Sequence, residues 1–420
     1  MQEILPAACA AMACVGICAV VRAAAGSTDP KNRPAAVAYV PNAKKEAFFA
    51  ALCSALDTRG IRMQPLRSDG NLAGGADLPL LIVHKLTDDI ALAADSGEAA
   101  ARLAAVKALT DANPSIVMLD PLPAIENVRD RRKMAAAVQV LSGLIPLPAG
   151  HENDAPSALQ LTSATVRMPR TIEVLVADQA ETLAGFPSGQ PLVVKSAAAC
   201  GTPEAHYMAV VESWEQVATL NRVAQDYQIC PKFPVVVQPY IPHNGVVYKV
   251  YVVGSAPGRA GHPQTAARYY VASKPSLHLT PQIASSVPEL LCGPSNGNHR
   301  RLLLFDALHP YRTAAGAALF QHAQSDDTDS PDRASSTEQL QAVPGRVLEA
   351  LNKELQRVLG LTFFGYDLVC EEGTGDYWIL DINYFPSYAG CEGVVAAVAD
   401  TIEAHLLLSF GQVDTKLRER

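Results

Sequence analysis

The sequence predicts a mixed architecture in which an α/β unit at the N-terminus is followed by an α+β unit. In the first unit, short apolar runs alternate with helical patterns, as expected for a parallel sheet. In the second unit, apolar runs follow one another with a single helical pattern among them. Two strand-like runs around Gly373-Thr374-Gly375 add a hairpin near the C-terminus.

Hydrophobic periodicity defines the elements of the first unit. Apolar runs predict strands at 36–40, 78–83 and 116–119. Apolar residues recur at helical spacing over 46–59, and an alanine-rich stretch predicts one helix over 91–109. Since strand and helix alternate, we expect the strands to form one parallel sheet.

The second unit is predicted from four apolar runs and one amphipathic stretch. Strands are expected at 171–175, 192–195, 208–211 and 235–238, and a helix at 214–226. This order of elements is typical of an α+β module.

We predict four regions along the chain. Residues 1–35 form an N-terminal extension expected to be mobile, 36–125 an α/β domain, 126–238 a central subdomain and 239–420 a C-terminal subdomain. The last region contains two polar or glycine-rich stretches, near 254–264 and 324–345, which are expected to be flexible loops.

Composition excludes several classes of protein. The chain has 420 residues, of which 49% are hydrophobic and 18% charged, so it can bury the cores of about two to three domains. Its net charge of -8 argues against a broad basic surface for nucleic acid or for anionic lipid, and no stable membrane insertion is expected. A site for an anionic ligand must therefore be local.

The cysteines and the N-terminus bear on location. The nine cysteines include no CxxC pair, which favours reduced thiols in a cytoplasmic protein. The uncharged run Ala7–Val21 is shorter than the span of about 20 residues needed to cross a bilayer. It has the length of the apolar part of a signal peptide, so targeting by this segment stays as the alternative.

The C-terminal hairpin predicts a metal site. Asp367 and Asp381 lie equally far from Thr374, so they are expected to face each other across the strand pair. Facing like charges destabilise a sheet unless a cation lies between them. Asn383 shares the face of Asp381 and adds a third oxygen, a set that suits Mg²⁺. The alternative interpretation is a solvated polar face of the sheet.

Two lysines occur in apolar strands. Lys195 ends the run Pro191–Lys195, and Lys249 lies in the middle of Val246–Val253 on the face of Val247 and Tyr251. A charge within a strand is unfavourable unless it is paired or faces a ligand. The alternatives are a surface lysine at a strand end for Lys195, and an internal ion pair or an edge-strand lysine for Lys249.

No common nucleotide motif accompanies these residues. The sequence has no GxxxxGK[ST], no protein-kinase HRD or DFG set, no GxSxG and no HExxH. The small-residue loop 197–206 has backbone N–H groups that could approach phosphate, and His206 at its end is either structural or a ligand contact. The pattern indicates metal-supported nucleotide handling by lysines on sheets.

Taken together, these segments resemble the inositol 1,3,4-trisphosphate 5/6-kinase family, also called inositol-tetrakisphosphate 1-kinases. The resemblance rests on motifs that occur in order along the chain: His84-Lys-Leu-Thr-Asp88, Asp120-Pro-Leu-Pro-Ala-Ile125 with Asp130-Arg131, Lys195 with Gly201-Thr202 and His206, Gln238, Tyr248 to Gly254, Phe364-Gly-Tyr-Asp367, and Asp381-Ile-Asn-Tyr-Phe-Pro386. It implies an ATP-grasp fold preceded by a Rossmann-like (pre-ATP-grasp) domain.

The resemblance also implies a set of site residues. The catalytic residues would be Lys195, Lys249 and Asp381, and Mg²⁺ would bind to Asp367, Asp381 and Asn383. ATP would contact Arg131, Lys195, Gln238, Pro239, Tyr240, Ile241, Lys249 and Ser276. The inositol phosphate would contact Lys45, Lys85, His206, Lys249, Lys274, Asn383 and Ser387. Lys274 and Ser387 depart from the arginine and glycine that the family has there, which leaves the fit of the substrate open.

The implied reaction is transfer of the γ-phosphoryl group of ATP to inositol 1,3,4-trisphosphate at the 5- or 6-hydroxyl, or to inositol 3,4,5,6-tetrakisphosphate at position 1. No residue is marked as a general base. The expected ligands are ATP, Mg²⁺ and a soluble inositol polyphosphate, bound by a monomer without nucleic acid. A carboxylate–amine ligase with the same fold, or a non-catalytic inositol phosphate binding protein, are the alternatives.

Overall fold

The computed structural model describes residues 36–67, 78–141, 143–146, 163–177, 186, 189–226, 229–256, 267–276, 302–307, 309–313 and 343–418. The predicted N-terminal extension, with its apolar run, lies outside these residues. So does most of each of the two predicted flexible loops.

The first sheet is parallel, as the alternation of strand and helix predicts. Its strands are β1 (Val37–Tyr39), β2 (Met63–Pro65), β3 (Leu81–Val83) and β4 (Val117–Leu119), in the order β2-β1-β3-β4. The helices of this unit are α1 (Glu46–Asp57), α2 (Thr87–Leu92) and α3 (Gly97–Ala112). The carboxyl ends of β1 and β3 lead into Lys45 and Lys85, which therefore lie at the same edge of the sheet.

The helix predicted over 91–109 is wrong in its boundaries. Two helices occupy this stretch, because α2 ends at Leu92 and α3 begins at Gly97. Ser96 is the N-cap of α3, and its hydroxyl accepts a hydrogen bond from the amide of Ala99 at 3.3 Å. A serine side chain satisfies an amide that has no partner within the helix, so it favours a helix start over a helix interior.

Helices α4 (Leu122–Arg129) and α5 (Arg131–Gln139) follow the first sheet along the chain. The second sheet is built from the residues that come after them. Its strands are β7 (Ile172–Val174), β8 (Leu192–Ser196), β9 (Tyr207–Val211), β10 (Val235–Pro239), β13 (Leu302–Asp306) and β14 (His309–Thr313), in the order β14-β13-β9-β8-β10-β7. Neighbouring strands are antiparallel. Helix α6 (Trp214–Asp226) has the predicted bounds and packs beside β9.

The third sheet holds the C-terminal hairpin. Its strands are β5 (Gly143–Pro146), β6 (Ser163–Arg167), β11 (Val246–Val253), β12 (Arg268–Pro275), β15 (Phe363–Cys370) and β16 (Tyr377–Tyr384), in the order β12-β11-β15-β16-β6-β5. Helices α7 (Gly345–Leu359) and α8 (Val394–Arg418) complete this part of the chain. Among the described helices, none has the length and apolarity to cross a membrane.

One hydrophobic core joins the first and third sheets. Phe49 and Leu52 of α1 belong to the same buried cluster as Phe363 and Phe385 of the hairpin. The rings of Phe49 and Phe385 meet edge to face at a centroid distance of 5.9 Å. This packing holds the lysine-bearing edge of the first sheet against the end of β16.

Candidate active site

A cavity of about 600 Å³ lies where the three sheets meet. Strands β8, β9, β10 and β13 line one side, and β11, β15 and β16 line the other. Every residue that the resemblance implies for the site borders this cavity: Lys45, Lys85, Arg131, Lys195, His206, Gln238, Pro239, Tyr240, Ile241, Lys249, Lys274, Ser276, Asp367, Asp381, Asn383 and Ser387. Their individual roles remain predictions.

The predicted facing pair is present. Asp367 is the cross-strand partner of Asp381 in the antiparallel pair of β15 and β16, and Asn383 lies opposite Gly365. The register contains a bulge, because Leu368 pairs with Ile379 while Asp367 pairs with Asp381. Leu380 therefore has no partner of its own across the pair.

The unpaired residue of this bulge anchors Lys195. The ammonium group of Lys195 donates to the carbonyl oxygen of Leu380 at 2.9 Å. Lys195 is 4% exposed, so the alternative of a surface lysine at a strand end is wrong. Burial lowers the pKa of Lys195 to about 8, against the opposing effect of the Asp381 carboxylate.

Lys249 is paired with one of the facing carboxylates. Its ammonium group lies 2.9 Å from both oxygens of Asp367, its register partner across β11 and β15. Burial raises the pKa of Asp367, and the Lys249 cation opposes this effect only in part. Because β11 lies between β12 and β15, the edge-strand alternative is wrong, whereas the internal ion pair is confirmed.

Arg131 holds the other carboxylate. One of its terminal nitrogens donates to the carbonyls of Ser196 and Ala198, and the other to the carbonyl of Ala205 and to Asp381 at 3.1 Å. Burial alone would raise the pKa of Asp381, but the cations of Arg131 and Lys195 keep it below its usual value. Asp381 is thus maintained as a carboxylate.

These oxygens fit the predicted cation. Asp367 and Asp381 face each other, Asn383 follows on the same face, and all three border the cavity. Carboxylate and amide oxygens are the ligands that Mg²⁺ prefers, and the ion completes its shell with water and phosphate oxygens. In the structure the two facing carboxylates are compensated by Lys249 on Asp367 and by Arg131 on Asp381, and a bound cation would add to this positive charge.

One end of the cavity is cationic. Lys45 is 4% exposed; its ammonium group donates to the carbonyl of Pro386 and lies 4.6 Å from the centre of the Phe385 ring. Burial and the neighbouring Lys85 cation lower the pKa of Lys45 to about 7. Burial also lowers the pKa of Lys85 to about 8, and its ammonium group donates to the carbonyl of Tyr384.

The other end of the cavity is apolar. Val193, Met208, Val210 and Phe305 line it, beside the chain segment from Gln238 to Ile241. The side chain of Gln238 is buried and donates to the hydroxyl of Thr171 at 2.9 Å. An apolar slot next to backbone groups is the usual environment of a flat heterocycle such as adenine.

Some backbone amides of the loop 197–206 are bonded within the protein, and the approach of the others to phosphate stays a prediction. The amides of Ala197, Ala199 and Ala205 donate to the carbonyls of Pro234, Arg129 and Thr202, each within the protein. Within this loop, which the structure describes in full, His206 is the residue that borders the cavity. Arg131 binds carbonyls at both ends of the loop, which explains how His206 is held in place.

Sequence reasoning missed several residues that line the cavity. These are Lys44, Pro169, Val193, Met208, Val210, His243, Val250, Phe305, Ala307, Gly365, Tyr366, Leu380, Phe385 and Pro386. Period-two alternation could have found some of them, because Val193 shares a strand face with Lys195, and Gly365 with Asp367. Phe305 gave no such signal, since residues 277–345 have no recognisable motif.

Comparisons with known proteins agree with this geometry. Residues 161–259 and 315–403 match the inositol 1,3,4-trisphosphate 5/6-kinase ATP-grasp domain. Inositol-tetrakisphosphate 1-kinase of Danio rerio is 27% identical over 81% of this chain and 70% of its own length. The Xenopus laevis enzyme is 26% identical over 82% and 72%, and inositol-tetrakisphosphate 1-kinase 1 of Zea mays is 26% identical over 91% of each chain. The chain therefore has an ATP-grasp fold and is similar to the inositol 1,3,4-trisphosphate 5/6-kinases in that domain and to inositol-tetrakisphosphate 1-kinases over most of its length.

Proposed function

We propose that this protein transfers the γ-phosphoryl group of ATP to a ring hydroxyl of a soluble inositol polyphosphate. The acceptors are inositol 1,3,4-trisphosphate at the 5- or 6-position and inositol 3,4,5,6-tetrakisphosphate at the 1-position. The observation that carries the proposal is one cavity with an apolar end, a cationic end and facing carboxylates between them. A nucleotide and a polyphosphate can meet there with their reacting groups next to the carboxylates.

The apolar end suits the adenine of ATP. Gln238 to Ile241 would run along its edge, with Ser276 nearby, while Lys195 reaches toward the phosphates from β8. Arg131 lies next to Lys195 and holds Asp381. In this proposal the ATP phosphates lie beside the centre of the cavity.

The cationic end suits the inositol polyphosphate. Lys45 and Lys85 border the cavity from the first sheet, and His206, Lys249 and Lys274 border it from the other two. A lysine is a compact point charge that can neutralise a phosphate without fixed geometry. Lys274 and Ser387 would set which ring positions are accommodated, because both border the cavity and stand where the family has arginine and glycine.

Mg²⁺ held by Asp367, Asp381 and Asn383 would supply charge neutralisation at the ATP phosphates when bound. The chain's own residues do the rest by positioning. Lys195 and Lys249 add fixed positive charge beside the reacting groups, and the buried walls restrict water. Phosphoryl transfer needs little further help from the protein, and no side chain is assigned as a general base.

The test is a product assay. The protein is incubated with Mg-ATP and a panel of inositol phosphates, and the products are separated by chromatography. We expect one added phosphate on at least one panel member, and loss of that product in Asp381→Asn. Asp376→Asn is the matched control, because Asp376 lies on the same hairpin and pairs with Arg167 at 3.5 Å, outside the cavity. Normal turnover by Asp381→Asn would remove the carboxylate from the mechanism.

The same assay separates the competing functions. A carboxylate–amine ligase would leave every inositol phosphate unchanged and would consume ATP only with a carboxylate and an amine. A binding protein would retain inositol phosphate without consuming ATP. The proposal further places the enzyme in the cytoplasm as a monomer, which fractionation and light scattering can check.

A further inference from the structure

Three motifs of the sequence meet at a residue outside the cavity. The hydroxyl of Tyr384 lies 3.0 Å and 3.1 Å from the carbonyls of His84 and Leu119, and it accepts a hydrogen bond from the amide of Asp120 at 3.0 Å. Tyr384 is 2% exposed, and its side chain is not among those that line the cavity in the described residues. Its hydroxyl therefore bridges β3 and β4 of the first sheet to the end of β16.

A second set of hydrogen bonds supports the same junction. The carboxylate of Asp120 accepts from the amide of Phe363 at 2.9 Å, where β15 begins. The imidazole of His84 accepts from the amide of Leu86 at 3.4 Å, so the other ring nitrogen, 2.7 Å from the carbonyl of Asp120, carries the proton. Asp120 and His84 are buried, so these bonds form without competition from water.

The junction lies one residue away from two parts of the candidate site. Lys85, at the cationic end, directly follows His84, and Asn383, a predicted metal ligand, directly precedes Tyr384. The two parts belong to different sheets, so no ladder of backbone hydrogen bonds fixes the distance between them. The bonds of the Tyr384 hydroxyl connect these two sheets close to both.

We propose that Tyr384 is a positioning residue for phosphoryl transfer, whose hydroxyl fixes the cationic end of the cavity relative to Asp381 and Asn383. This inference rests on the proposed function. In-line transfer requires the acceptor hydroxyl and the transferred group to be held in their reactive geometry, and a misplacement of about 1 Å already slows such a step strongly. Tyr384 sets that separation through the backbone of His84 and Asp120, without touching either substrate.

The test is Tyr384→Phe, which keeps the ring and removes the hydroxyl. We expect the KM for the inositol substrate to rise and kcat to fall, so that kcat/KM falls by roughly three- to tenfold, the equivalent of one lost buried hydrogen bond. The KM for ATP should not change, because the apolar end of the cavity is lined by β8, β9, β10 and β13, and the hydrogen bonds described for the junction join other elements. The rise in Tm given by the inositol substrate should shrink, while the rise given by a non-hydrolysable ATP analogue stays.

The matched control is Thr401→Val. Thr401 is buried on α8, does not line the cavity, and its hydroxyl donates to the carbonyl of Ala397 at 3.1 Å. This variant should lower Tm while leaving both KM values as in the natural protein. If Tyr384→Phe behaves in the same way, Tyr384 is only structural and the inference is overturned.

Asp120→Asn examines the junction from its other side. It keeps an oxygen that can accept from Phe363 but removes the charge, so a smaller rise in the same KM is expected. An unchanged KM for the inositol substrate in both variants contradicts the inference. If the protein without substitutions phosphorylates no inositol phosphate, the proposed function itself is overturned. Failure of the proposed function can therefore be distinguished from failure of the inference about Tyr384.

Discussion

Lys45 combines a buried position with a charge that a phosphate would stabilise. Its ammonium group is surrounded by the rings of Phe48, Phe385 and Tyr388, at 5.2, 4.6 and 5.5 Å from their centres. The ring faces favour a cation, but burial disfavours it, and the Lys85 cation adds to the penalty. The result is a pKa of about 7 in place of the ordinary value near 10.5.

This pKa predicts a pH-dependent KM for the inositol substrate. As pH rises through about 7, Lys45 loses its proton in the free enzyme, and binding of an anion there weakens. The KM should therefore rise between pH 7 and 8, and rise further once Lys85, with a pKa of about 8, also loses its charge. Steady-state kinetics at a series of pH values measures the rise.

Lys45→Arg is the control for this pH dependence. Arginine keeps its charge throughout this range, so the KM of the variant should stay nearly flat up to pH 7.5 even if its absolute value differs. The same slope in the variant and the natural protein would show that another group titrates.

The Lys249 and Asp367 pair predicts an asymmetric effect on stability. Lys249→Met leaves the Asp367 carboxylate without the partner that now binds both of its oxygens, and should lower the free energy of unfolding by roughly 1–3 kcal/mol. Lys249→Met with Asp367→Asn should recover much of this loss, because no buried charge remains unpaired. Denaturant unfolding of both single variants and the double variant gives the coupling energy. Equal destabilisation by the double and the single lysine variant would contradict this account.

At the scale of elements, the hairpin shows how far sequence arithmetic reaches. Counting outward from Thr374 predicts that Asp367 faces Asp381, and the structure confirms this pair. The strands nearer the turn, however, pair Leu368 with Ile379, one residue out of step with that count. The facing pair depends on the bulge at Leu380, which no spacing in the sequence reveals.

The ends of the helices are harder to predict from the sequence than the facing pair of the hairpin. The alanine-rich stretch predicts one helix because alanine favours helix everywhere, and its amphipathic pattern is weak. Ser96, followed by Gly97, is the signal that marks the start of α3. A cap is short and local, so it is easily outweighed by the composition around it.

Ser96→Ala should lower the free energy of unfolding by about 0.5–2 kcal/mol, because the amide of Ala99 loses its acceptor. Ser96→Asp should retain most of the stability, since aspartate is also a good N-cap. Ser54→Ala is the matched control, because Ser54 is exposed within α1 and makes no cap. Chemical denaturation compares the three. A loss at Ser54 as large as that at Ser96 would show that the cap is unimportant.

At the scale of the molecule, the cavity depends on the arrangement of the three sheets, which local patterns do not encode. The motifs identify the residues that line the cavity, but not which strands are neighbours. Lys44 illustrates the limit: it is exposed, pairs with Asp88 at 2.9 Å and still borders the cavity. Nothing in the sequence around it distinguishes it from an ordinary surface lysine.

The net charge of -8 and the cationic end of the cavity act on an anionic substrate in opposite directions. Salt screens both, with a Debye length of about 8–10 Å, so the closer charges should dominate. The KM for the inositol substrate should therefore rise with sodium chloride, and less steeply in Lys44→Ala. Lys107→Ala changes the net charge by the same unit from the exposed face of α3, so it should keep the natural slope. If both variants change the dependence of KM on salt equally, the overall charge governs binding. If KM falls as salt is added, repulsion by the whole molecule outweighs the lysines of the site.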